Sequence, residues 1–184
     1  VEEIYGDIAP KLAEHGVADF KGDLQTLATH VENGNGEKVD AAYEKVRADL
    51  DAAADALPQA HRNDPSFVVP VVLAMLKQSA AEYEAAVKDG QMVNVAEYQD
   101  SRGFVWTARD LIGGMAATLY TADADDLADT LGKFDSLMAA WPSAMPAHAP
   151  SHSPGEVSAT VSALELELNG FVQKSYGATD GGEG

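Results

Sequence analysis

The chain has 184 residues, 46% of them hydrophobic, with 30 acidic against 12 basic side chains and a formal charge of −18. That length and apolar content suit a folded domain with a real core and exclude general disorder. Phosphate backbones and anionic bilayers repel such a surface, so nucleic acid and direct membrane insertion are not expected.

The acidity has two readings. Clustered carboxylates would suit hard cations. Acids dispersed along the chain, with few lysines, are what salt adaptation produces, because salt screens the self-repulsion. Here they are dispersed. The absence of cysteine excludes disulfides, thiolate metal sites and a cysteine nucleophile. The longest apolar run, FVVPVVLAML (67–76), falls short of the roughly 18–20 residues of a membrane span. No signal peptide opens the chain at Val1, and GATDGGEG closes it. One helical-bundle domain over residues 1–176, with a flexible acidic tail over 177–184, is expected, cut from a longer protein.

Helical periodicity dominates the chain. Ile4, Ile8 and Leu12 form a first short stripe, which Pro10 limits or kinks. Val17, Phe20, Leu24, Leu27 and Val31 form a second, stopped by NGNG (33–36). Val39, Tyr43, Val46, Leu50, Ala53 and Leu57 form a third. Asp64 then caps a helix with Pro65 at its first position. That helix carries Phe67, Val68, Val71, Val72, Met75, Leu76, Ser79 and Tyr83, and its wide apolar face predicts the deepest burial. A fifth carries Tyr98, Val105, Ala108, Ile112 and Met115, weakened at its end by Gly113 and Gly114. A sixth carries Leu127, Leu131, Phe134, Met138 and Trp141. The proline-rich PSAMPAHAPSHSP (142–154) follows. Ser153, Pro154 and Glu156 then open a last helix, carrying Val157, Val161, Leu164, Leu168, Phe171 and Val172. No segment alternates as a strand. The fold class is all-α: an antiparallel helical bundle of about four long helices plus shorter ones.

The stretch AAVKDGQMVNVAEYQDSRGF (85–104) reads as a corner between two helices. Gly90 suits a left-handed C′ position, Asn94 an N-cap, Glu97 the acid of a capping box, and Val93 with Tyr98 a hydrophobic staple. An antiparallel corner centred near Met92 places Tyr83 across from about Ser101, and Val87 from about Glu97. It gathers Glu82, Glu84, Asp100 and Arg102 at one end, with Arg102 able to neutralise the acids. Glu82, Glu97 and Asp100 are candidate ligands for a cation. In the connector, Met145, His148 and His152 are the soft and borderline ligands that suit copper or iron. His15, His30 and His61 lie near helix ends and form no E-x-x-H pattern. H-E-x-x-H, G-x-S-x-G, P-loop and G-x-G-x-x-G motifs are also missing, so no enzyme is expected.

The pattern of Tyr83, Ala86, Val87, Asp89, Gly90, Asn94, Glu97, Tyr98 and Phe104 resembles the extracytoplasmic helical region attached to bacterial and archaeal high-affinity iron permeases. Pro146, Ala147 and His148 are similar to a Pro-Ala-His stretch between later helices of that region. The clear match spans about 25 residues, a loose helical match runs on to Phe171, and residues 1–60 match nothing comparable. The permeases' own Arg-Glu-x-x-Glu signature is absent. The resemblance implies an extracytoplasmic context linked to metal uptake, without transport activity. The function so expected is a non-enzymatic accessory domain of iron acquisition or cell-surface redox, binding cations weakly or docking a neighbouring domain or permease. The alternative is a structural or interaction domain of a salt-adapted surface protein with no ligand of its own.

Overall fold

A computed structural model describes residues 2–180, with side chains for 5–175. Val1, the side chain of Ile4 and residues 181–184 of the expected tail lie outside the described residues. Nine helices and one two-stranded hairpin make up the described chain, which is almost entirely α. The chain divides into two compact units, residues 1–61 and 62–184.

The first unit holds α1 (Glu2–Glu14), α2 (Lys21–Glu32) and α3 (Gly36–Asp55). Helix α1 runs on through Pro10. Entry into α2 is fixed by Tyr5. Its hydroxyl donates to Asp19 Oδ1 (3.1 Å) and accepts from the Phe20 amide (2.9 Å), while its ring meets Phe20 edge-on. The expected stripes along α2 and α3 are only partly buried. Val46 is buried, yet Val31, Tyr43 and Leu50 each leave half or more of their surface to solvent. The short α4 (Gln59–Arg62) leads into the second unit.

That second unit is a four-helix bundle of α5 (Pro65–Ala86), α6 (Val95–Gly114), α8 (Ala124–Met138) and α9 (Pro154–Asp180), with α7 (Ala116–Ala122) linking α6 to α8. Asp64 caps α5 as expected, its Oδ1 accepting from the Ser66 amide (2.8 Å) and hydroxyl (2.7 Å). The expected Ser153–Glu156 box opens α9: Glu156 Oε2 accepts from the Ser153 amide (2.7 Å), and Ser153 Oγ from the Glu156 amide (3.3 Å). Helix α9 continues to Asp180, four residues into the expected tail.

Antiparallel packing is visible in the cross-helix pairs. Lys174 near the end of α9 meets Asp123 (2.6 Å) at the start of α8, and Lys133 meets Glu167 (2.9 Å) further along. Lys77 of α5 meets Glu165 of α9 (2.6 Å). The core between the helices contains Leu76, Val105, Ile112, Phe134, Leu164, Leu168 and Phe171, all fully buried. Burial at this scale is the main term holding the bundle, about 25 cal/mol for each Å² of apolar surface removed from water. Helix α5 is central, packed on both α6 and α9, as its wide apolar face predicts.

Candidate functional site

The corner between α5 and α6 departs from the expected helix–turn–helix. Helix α5 stops at Ala86, and β1 (Val87–Lys88) pairs antiparallel with β2 (Gln91–Met92). Asp89 and Gly90, at φ 52° and 73°, form the two-residue turn between them. Both central residues at positive φ is the type I′ geometry, whose twist suits a tight hairpin and which favours Asp-Gly. Gly90 therefore serves a hairpin and not a helix C′ position. Val93 and Asn94 close the corner by donating to the Ala86 carbonyl (2.8 and 3.3 Å).

Asn94 caps α6 as expected, its Oδ1 accepting from Ala96 (3.1 Å) and Glu97 (3.4 Å). The return half of the capping box is missing, because the Asn94 amide is already taken by Ala86. The staple also gives way: Val93 is 55% exposed, and Tyr98 is anchored elsewhere.

The six residues the strands and turn use also change the register. Ser79 lies across from Ser101, one turn from the expected Tyr83–Ser101 pairing. Ser79 Oγ donates to the Ser101 carbonyl (2.9 Å), Ser101 Oγ donates to the Ser79 carbonyl (2.8 Å), and both residues are fully buried. This register brings Glu82 of α5 against Glu97 of α6. The Glu97 pKa is raised, first by hydrogen bonding to Glu82 and then by the Glu82 charge, by burial and by the Asp100 charge. Gln78 donates to Glu82 Oε1. Both glutamates are half-buried and Asp100 is exposed. Arg102, expected as a counter-ion, instead lies 4.0 Å over the Trp106 ring.

The connector is held down at four points. Tyr98 donates to the Ser143 carbonyl (2.8 Å) and Gln99 to the Ala144 carbonyl (3.2 Å). The Met92 amide donates to the His148 carbonyl (2.9 Å), and Tyr83 to the His152 carbonyl (2.9 Å). Burial raises the phenol pKa of both tyrosines. Pro146, Ala147 and Pro150 pack with Met92 and Tyr98 around a small cleft. Most residues of the expected family pattern thus build one object, a hairpin with a proline-rich strap bonded across it.

The connector's candidate ligands are each engaged differently. Met145 is exposed, and its sulfur accepts from Gln99 (3.5 Å). His148 is exposed, and its carbonyl accepts from Met92. His152 is half-buried beside Glu156, and its Nδ1 has no partner among the described residues. No group of three or more His, Asp or Glu side chains among the described residues is arranged to hold a metal ion. Of the six candidates, the structure pairs Glu82 with Glu97 and sets Asp100 one turn beyond. Sequence spacing does not reveal that three aromatic rings come together, since Tyr83 lies on α5, Trp106 on α6 and Trp141 just past the end of α8.

No helix of the described residues is long and apolar enough to cross a membrane. Comparison with curated proteins and with solved structures finds no match. The iron permease-associated 4-helix bundle domain matches residues 58–175, which covers nearly two thirds of the chain and includes α5 to α9 up to Ser175. The four packed helices, the hairpin corner and this match agree, and the chain belongs to the family of iron permease-associated 4-helix bundle domains.

Proposed function

We propose that the domain is a non-enzymatic, extracytoplasmic accessory module of iron acquisition that engages cations weakly at the Glu82–Glu97 pair. The observation that carries this reading is the match of the whole bundle, residues 58–175, to a domain associated with iron permeases. The chemistry of the corner supports it. Two carboxyls from separate helices present oxygens that suit a hard cation such as iron, with Asp100 adding charge. Met145, His148 and His152 would be the residues to hold a softer ion such as copper. Because Glu82 raises the Glu97 pKa, a cation bound at the pair would compete with protonation there.

Calorimetric titration with ferric and ferrous iron at high salt tests the reading. Saturable binding is expected, with proton release that grows at lower pH and with affinity weakened by Glu82→Gln or Glu97→Gln. Binding no tighter than about millimolar, some 4 kcal/mol, would remove the cation role. One observation favours a second reading, a domain that only docks its neighbours: Tyr83, Gly90, Asn94 and Tyr98 are all spent on building the corner. That reading expects no cation binding and unchanged association with neighbouring domains in the Gln variants.

A further inference from the structure

Both tryptophans of the chain and two of its six tyrosines lie in one file. Trp106 and Trp141 have ring centroids 6.5 Å apart at 89°. Trp141 and Tyr83 are 5.1 Å apart at 76°, and Tyr83 and Tyr98 are 6.4 Å apart at 40°. The two pairs that include Trp141 meet edge to face, the tyrosine pair is tilted, and all three lie within aromatic contact range. Indole and phenol are the side chains of a cysteine-free chain most readily oxidised by one electron, and such a vacancy passes between rings that touch.

Proton control distinguishes the two ends. Tyr83 and Tyr98 donate to the carbonyls of His152 and Ser143, which are too weakly basic to keep a proton. The Trp141 indole N–H is buried and meets no acceptor among the described residues. None of the three can trap a vacancy by losing its proton. Trp106 is half-buried, reaches water, and carries the Arg102 guanidinium over its ring. That charge opposes a positive charge on the indole, so oxidation at Trp106 is coupled to loss of its N–H proton to water. The file therefore starts beneath the corner, where Tyr98 adjoins Glu97, and discharges at Trp106.

We infer that Tyr98, Tyr83, Trp141 and Trp106 form a relay that drains one-electron oxidising equivalents from the corner to Trp106. An oxidant at the corner gains one electron, supplied from Trp106 through Trp141, Tyr83 and Tyr98. The Trp106 radical cation passes its indole proton to water and becomes a neutral radical. The oxidants in question are the oxygen radicals formed when ferrous iron meets peroxide. That source rests on the iron-acquisition reading, whereas the relay does not.

The test uses no iron, so its failure is separate from failure of that reading. Ala96 is exposed two residues from Tyr98, and the chain has no cysteine, so Ala96→Cys gives a unique thiol for a ruthenium tris-bipyridyl photo-oxidant. Flash oxidation of the full chain is expected to yield an indole radical and, by peptide mass spectrometry, oxidised Trp106. Trp141→Phe, with the fold checked by circular dichroism, should reduce Trp106 oxidation to background. Tyr83→Phe breaks the file at a second point while keeping its ring and should do the same. Trp106 oxidised to the original extent in either folded variant overturns the relay.

Discussion

Tyr83→Phe and Tyr98→Phe are the sharpest probes of the strap. Each change removes one hydroxyl and keeps the ring, so neither opens a cavity. The bonds lost are the 2.9 Å contact to the His152 carbonyl and the 2.8 Å contact to the Ser143 carbonyl. A hydrogen bond of this kind contributes about 0.5–1.5 kcal/mol net, so each variant should lose about 1 kcal/mol. For a unit of this size that is about 3–5 °C in Tm. The two carbonyls lie at opposite ends of one strap. If the strap is held as a unit, releasing one end weakens the other, and the double variant should lose less than the sum, about 1.5 kcal/mol instead of 2. Urea titration followed by tryptophan fluorescence measures all three losses. Hydrogen exchange at the Met92 amide, which donates to His148 in mid-strap, should speed up in both single variants. Single variants within about 0.3 kcal/mol of the parent would show that water replaces both bonds and that the strap is not clamped by the phenols.

Other outcomes follow from the corner and the bundle. Gly90→Ala forces a Cβ into φ 73° and should cost about 1 kcal/mol, read by chemical denaturation. Asn94→Ala removes the α6 cap and should also cost about 1 kcal/mol. The Glu97 pKa is raised by its hydrogen bond to Glu82, so the pair's stabilising share is complete below the ordinary glutamate pKa. It disappears as pH climbs through the raised value, and Glu97→Gln should then flatten this part of the pH–stability curve. The Tyr83 phenol, raised by burial, is neutral in the fold after the unfolded chain begins to ionise, so stability should fall as pH rises past about 10 and fall less in Tyr83→Phe.

Much of the bundle was legible in the sequence, for reasons that are local. Asp64-Pro65 and Ser153-Pro154-x-Glu156 are short-range caps, and both act as their spacing predicts. Stripes such as Leu164, Leu168 and Phe171 are buried as their periodicity requires. The hairpin was missed because two-residue strands are too short to alternate. The Asp89-Gly90 pair carried its signal and was read as a helix end. That error propagated one turn into the register, which moved the partner of Ser101 from Tyr83 to Ser79. The first unit shows a second limit: Tyr43 and Leu50 keep helical spacing yet remain exposed, because periodicity marks a face and not what covers it. The strap's bonds join residues about 45 to 70 positions apart, as with Tyr98 to Ser143 and Tyr83 to His152, and no local pattern encodes them.

The crossed Ser79 and Ser101 bonds have a mechanical consequence. Each hydroxyl spans the seam between α5 and α6 to a carbonyl on the other side, so sliding one helix along its neighbour breaks both contacts together inside a dry core. The gap between the two glutamate side chains about one turn above is thereby gauged from within. Any strain applied to the exposed strap or hairpin meets this pinned seam before it can alter how far apart those oxygens stand.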